Sequence, residues 1–287
     1  MASVLRCSHL NRALGIRNNM NTFRTIEEYT DIKEALVTMC GLFLFEFAKE
    51  SNLETKDIML RNFLAKSIMS LKGVFALWNI QNYQDCWAIY RAQMDRLFHL
   101  EHIATRDEFQ LFDEWSIYKQ AQANNLAKSD KRFPLEQTSQ VYSFDSSYAD
   151  KVKSVLKSQP KWGRPKAEKV AKEMGMDFLY KFGYDLASMH VHPMSNDGQQ
   201  DYFTITGIEP SVEFPSQISV VHNSILTTTM IAQNVFNYSS LGWRSILWDF
   251  IEQIRDAINT GDKNYMVTYL KVAELASQGQ RLAARNA

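Results

Sequence analysis

The sequence predicts an all-α, multi-helix bundle, and three observations carry that prediction. All six prolines fall between Pro134 and Pro215, so the first half holds no helix breaker of that kind. Glycine is sparse, at 11 of 287 residues, and alternating β-branched runs closed by Asn-Gly turns are nearly missing. Apolar residues recur instead at three- and four-residue spacing along most of the chain.

Residues from about Ile26 to Ser51 place Ile32, Ala35, Leu36, Met39, Leu42, Phe43 and Phe47 at helical spacing. A second helix is expected from about Glu54 to Leu77, with Ser51 and Asn52 as capping residues ahead of it. A third, from about Asn82 to Thr105, sets Tyr83, Trp87, Tyr90, Met94 and Leu97 on one apolar stripe suited to packing against another helix. A fourth continues from about Arg106 to Leu126, and the polar stretch Ala127–Ser147 around Pro134 reads as a loop. Helical patterns resume at Ala149–Ser158, Lys166–Glu173 and Met176–His192, the last stopped by Pro193. Residues 194–217, with Asn196-Asp197-Gly198, Pro210 and Pro215, read as a long irregular loop. Phe214–Trp243 is thirty residues without one Asp, Glu, Lys or Arg. Its polar members, among them His222, Asn223, Gln233 and Asn237, are too many for a membrane span, so a helix buried by its neighbours is expected. Two helices close the chain, about Arg244–Ile258 and Lys263–Ala284, joined by the turn Asn259-Thr260-Gly261-Asp262. Residues 1–25, with Arg6, Arg12, Arg17 and Arg24 and no acid before Glu27, read as a loosely held tail, with a true start near Met20 compatible with it. Residues 26–287 read as a single domain, because neither side of the break near residue 130 looks self-sufficient.

Lys+Arg 32 balances Asp+Glu 32, which argues against broad, charge-driven binding to nucleic acid or anionic membrane and leaves room for a local basic patch. Cys7, Cys40 and Cys86 are odd in number and widely spaced, so no disulfide framework is expected and a reducing, cytoplasmic setting is the simpler reading. There is no glycine-rich phosphate loop, GxSxG or HExxH, and nothing calls for a cofactor.

The most informative segment is Tyr180–Pro193. On a regular helix Tyr180, Tyr184, Ser188 and His192 form one hydroxyl-and-imidazole row. Leu179, Phe182, Leu186 and Met189 then cluster on the opposite side and are expected to face the core. His192, in the last turn before Pro193, is the better acid/base candidate, because a helix C-terminus stabilises the imidazolium; His190 sits at the edge of the apolar side. A packing or capping role accounts for either ring as well. In the third helix, Arg91 shares a row with Trp87, Met94 and Phe98 at the border of the apolar stripe, where a guanidinium needs a partner or a ligand. Asp95 can supply a local ion pair, and the pair serves equally as a structural clamp or as a phosphate-binding Arg held by its carboxylate. Asp95-x-x-x-His99-x-x-His102 could line up three metal ligands, but no second element completes a bundle site, so no metal is expected. Lys161, Arg164 and Lys166, in a basic stretch around Trp162, could touch phosphates; a solvated face is the simpler account. The tryptophans read as core.

An Arg91-x-x-x-Asp95 helix followed far downstream by Tyr184-x-x-x-Ser188-x-x-x-His192-Pro193, with Trp162 before it, resembles a bacterial family of helical proteins of unknown function placed near the HEPN (higher eukaryotes and prokaryotes nucleotide-binding) group. The resemblance spans roughly Asn62–Pro193. The usual HEPN motif is an Arg four to six residues ahead of a His; Arg96…His102 has that spacing, with Leu97 where a polar residue is usual. The resemblance implies a commonly dimeric helical bundle and, for many members, a metal-independent ribonuclease of toxin or phage-defence systems. It would make His192 the general acid/base at a ribose 2′-OH or leaving oxygen and Arg91 the group that stabilises the charged phosphorane. Asp95 would orient Arg91, and Tyr184 or Ser188 would hydrogen-bond phosphate or His192. The alternative is a non-catalytic helical interaction or binding module in the same setting. RNA or a nucleotide, a second copy or a partner protein are the expected partners, and no membrane.

Overall fold

A computed structural model describes residues 23–50, 52–132, 148–192, 194–196, 198–211, 214, 216–241 and 244–274. The tail through Met20, the loop around Pro134, Pro193, Pro215, Trp243 and the closing helix beyond Glu274 lie outside the described residues. Among the described residues every regular element is helical, as the sequence predicts.

α1 (Ile26–Lys49) starts at a reciprocal capping box: the Thr25 hydroxyl accepts from the Glu28 N–H at 3.2 Å, and the Glu28 carboxylate accepts from the Thr25 N–H at 2.8 Å. Its row Ile32, Leu36, Met39, Phe43 and Phe47 is buried. α2 (Thr55–Asn79) and α3 (Tyr83–Arg106) form a tight antiparallel pair. Gly73 lets them approach, since a Cβ there would lie 3.2 Å from Ile89 Cδ1. Asn82 caps α3, and Asp107, in the left-handed region, ends it before α4 (Phe109–Ser129). α5 (Ala149–Ser158) packs on α4, and α6 (Ala167–Glu173) on α3.

The expected continuous helix over Met176–His192 is not what forms. The segment is α7 (Asp177–Leu179), a π-helix (Tyr180–Asp185) and α8 (Leu186–Ser188), after which residues 189–192 turn. The cause is local. Gly183 lies against the buried Tyr90 ring, and a Cβ on it would fall 2.5 Å from the Tyr90 hydroxyl oxygen. The wider turn lets the backbone sit on α3 there. The expected apolar-side-in orientation also fails: Phe182 and Met189 are exposed by 59% and 52%, and only Leu179 packs on the core. The expected loop 194–217 contains a helix, α9 (Gln199–Thr206), entered and left through Gly198 and Gly207 in left-handed conformations.

α10 (Ile218–Tyr238), the charge-free helix, lies at the centre and packs against α1, α2, α3 and α11 (Arg244–Thr260). Its hydroxyls tolerate burial because Thr228 donates to the Ser224 carbonyl at 2.8 Å and Thr229 to that of Leu226 at 2.7 Å. Gln93 joins three helices by donating to the Ser67 carbonyl and to the Thr228 hydroxyl, both at 3.3 Å. Asp57, buried at the start of α2, accepts from the N–H and hydroxyl of Ser240 just past α10, at 3.0 and 2.7 Å. Arg255 of α11, 5% exposed, donates to Thr229, Gln233 and Glu252. Residues 265–274 form α12. The buried apolar residues of α1 to α3, α10 and α11 form one contiguous core. Among the described residues, no helix is long and apolar enough to cross a membrane.

Candidate functional site

α3 presents Trp87, Arg91, Asp95 and His99 at four-residue intervals, one above another. The segment after α6 lies on that row. Arg91 Nε donates to Ser188 Oγ at 2.8 Å, one terminal nitrogen donates to and ion-pairs with Asp95, and the other donates to the Tyr184 hydroxyl. The guanidinium carbon sits 3.2 Å from the centroid of the Tyr184 ring. Tyr184 in turn donates to Asp95 Oδ1 at 3.0 Å, and Ser188 Oγ donates to the Tyr184 carbonyl at 2.8 Å. Four predicted site residues, separated by up to 97 positions, thus form one closed network. It is half open to solvent: the Arg91 side chain is 19% exposed and that of Asp95 43%.

Burial, and then the Asp95 carboxylate, push the Tyr184 phenol above its ordinary pKa, against the opposing pull of Arg91. Tyr184 therefore keeps its proton at neutral pH and acts as a donor to Asp95. Its ring also stacks on Tyr180, with centroids 5.2 Å apart.

The two histidines of the segment part company. His190 stacks almost parallel on Trp87, at 5.4 Å and 10°, one turn from Arg91; Trp87 in turn donates from its indole N–H to Gln217 at 2.8 Å. His192 is exposed, on the turn beyond α8, and has no hydrogen-bond or ion-pair partner among the described residues. The four-residue row from Tyr180 through His192 is interrupted because α8 ends at Ser188.

Below Asp95, His99 Nδ1 bonds the Asp95 carbonyl at 2.6 Å, and His99 and His102 both face the Trp162 ring. Burial lowers the pKa of both imidazoles. The charge of Arg164 further disfavours the His99 imidazolium. Trp162 is buried among Phe112, Trp115 and the two histidines and donates to Glu108 at 2.8 Å, which makes it core. Lys161, Arg164 and Lys166 around it are all exposed. Asp95, His99 and His102 do not converge: the first is engaged by Arg91 and Tyr184, the second by a carbonyl, and the third lies 3.6 Å from Glu108. Among the described residues, no three His, Cys, Asp or Glu side chains form a group able to hold a metal. A cleft of about 360 Å³ opens further along α3, between Glu101–Arg106 and Val170–Met174; of the candidate residues only His102 lines it.

Sequence reasoning missed the Trp87–His190 stack and the inward turn of the hydroxyl row. Two signals for them were present: Gly183 in mid-helix, and Trp87 on the same row as Arg91.

No curated protein and no solved structure matches this chain. A family model described as "Family of unknown function (DUF5677)" matches residues 57–207, from α2 through α9 and more than half of the chain, including all of Arg91, Asp95, Tyr184, Ser188 and His192. The chain belongs to this family of unknown function.

Proposed function

We propose that this chain is an RNA- or nucleotide-directed protein whose Arg91 network receives a phosphate, and that it acts as a metal-independent ribonuclease of a toxin or phage-defence system. One observation carries the reading: a guanidinium held in place by three different side chains, with part of its surface open. Of the five N–H groups of an arginine, three have protein partners at Arg91, which leaves two for an anionic oxygen. Asp95, Ser188 and Tyr184 orient the group, the Tyr184 hydroxyl bridging the guanidinium and the Asp95 carboxylate. Exposed Lys161, Arg164 and Lys166 extend positive charge for a strand to follow. In the cleavage step His192 takes the proton of a ribose 2′-OH. The 2′-oxygen then attacks phosphorus, the P–O5′ bond breaks, and the His192 imidazolium returns that proton to the leaving 5′-oxygen as the 2′,3′-cyclic phosphate forms. Three residues separate His192 from Ser188, so its exposed turn can fold over a bound phosphate.

A second reading, a non-catalytic binding or interaction module, is favoured by a different observation: Arg91 is already engaged and His192 stands outside its network. An RNA-cleavage and growth-toxicity assay of the wild type beside Arg91→Ala and His192→Ala, with mononucleotide binding measured on the same proteins, separates the two. Cleavage lost in both variants supports the ribonuclease. Equal cleavage by all three removes these residues from the chemistry. Nucleotide binding without cleavage, lost only in Arg91→Ala, supports the binding module.

A further inference from the structure

Locking Tyr184 and Ser188 onto α3 forces the other side of the segment outward. Phe178, Phe182, Leu186, Met189, Val191 and Met194 are each exposed by 40% or more. Phe178 and Phe182 touch each other, with centroids 4.6 Å apart, and Leu186 follows Phe182 at the same four-residue spacing. Six large side chains so exposed present on the order of 500 Å² of apolar surface, at the upper end for the largest patch on a monomer. A standard interface takes about 800 Å² per partner, somewhat over half of it apolar, so the stripe supplies the apolar share of one such face.

The flanking charges indicate what covers it. Asp177, Lys181 and Asp185 are all exposed and follow one another at four-residue intervals beside the phenylalanines. An acid–base–acid row of this kind matches itself when a second segment runs antiparallel and shifted by one turn, because Lys181 then meets a carboxylate of the other copy. An isologous dimer requires that self-complementarity. The chain as a whole has formal net charge +0, so two copies do not repel one another at long range. We infer that the exposed stripe of residues 178–194 is the contact face for a second copy of this chain, held by apolar packing at its centre and by Lys181–carboxylate pairs at its edge. This assignment does not depend on the proposed ribonuclease activity.

Sedimentation equilibrium of the full chain from about 1 to 100 μM tests it, that range spanning the weaker half of specific interfaces. The wild type is expected to dimerise in that range. Phe182→Glu and Met189→Glu are each expected to weaken the dimer at least tenfold with unchanged helical circular dichroism, while Leu126→Glu, at a still more exposed position on α4, leaves it unchanged. Lys181→Asp alone is expected to weaken the dimer, and mixing it with Asp185→Lys to restore a mixed dimer. A wild type that stays monomeric overturns the inference and assigns the stripe to a different protein. A dimer indifferent to both glutamate variants overturns it too.

Discussion

The central helix α10 and the segment from Asp177 to His192 are built from similar ingredients, apolar side chains mixed with hydroxyls and histidine, yet they solve burial in opposite ways. α10 takes its hydroxyls into the core with its aliphatic residues, because Thr228 and Thr229 spend their donors on carbonyls of their own helix. The edge segment turns its hydroxyls inward toward a guanidinium and leaves its large apolar residues in solvent. In the first case Thr228 and Thr229 place their donors within the helix and hydrophobic packing sets the orientation. In the second an arginine on α3 needs partners, and that need outweighs the burial of Phe182 and Met189.

Acid is the largest expected perturbation of the interior. His222 of α10 is hydrogen-bonded to Tyr29 at 2.8 Å, and burial, with the charge of Arg24, lowers its pKa to about 4 from an ordinary 6.5. Protonation is therefore easier in the unfolded chain. Its contribution is complete above pH 6.5 and is lost as pH falls through the window from 6.5 to about 4, amounting to about 3 kcal/mol. Urea titrations at pH 7 and pH 4 measure the loss, and His222→Gln, which cannot take up a proton, is expected to flatten that part of the profile.

Gly183→Ala attacks the edge segment instead. The added methyl meets the Tyr90 hydroxyl oxygen at 2.5 Å, and overpacking of this kind costs about 2 kcal/mol. Adding Tyr90→Phe, which removes that oxygen, is expected to recover most of the lost melting temperature. A double variant no more stable than the single one would mean that the π-helix does not depend on this approach. Thr228→Val breaks the junction of Ser67, Gln93 and Thr228 while keeping the shape, for about 1 kcal/mol by chemical denaturation. Phe182→Ala in dilute protein is the smallest change, within about 0.5 kcal/mol, because the ring it removes is mostly in water. A larger loss would show that the outward stripe supports the fold.

The same contrast explains what the sequence disclosed. Helical periodicity located α1 to α6 and α11, because there a single rule, apolar side inward, governs, and the charge-free run located α10. The Arg91–Asp95 pair was legible because its members are four apart on one helix. That Tyr184 and Ser188 close on the same arginine depends on a tertiary contact across more than 90 residues, which no local pattern encodes. His192 was placed on the hydroxyl row by counting 3.6 residues per turn, and the π-turn and the helix end at Ser188 both defeat that count. α9 escaped notice because prolines and glycines surround eight helical residues.

The position of α10 also bears on how the family unit can be handled. The matched region stops at residue 207, yet α2 and α3 rest on a helix that begins only at Ile218, and Asp57, the first matched residue, is fastened to Ser240. A fragment cut at the family boundary would lose both α1 and α10 from the face of α2 and leave the Asp57 carboxylate without the Ser240 backbone amide. It should be recovered as aggregate unless residues 26–49 and 218–240 are supplied as well.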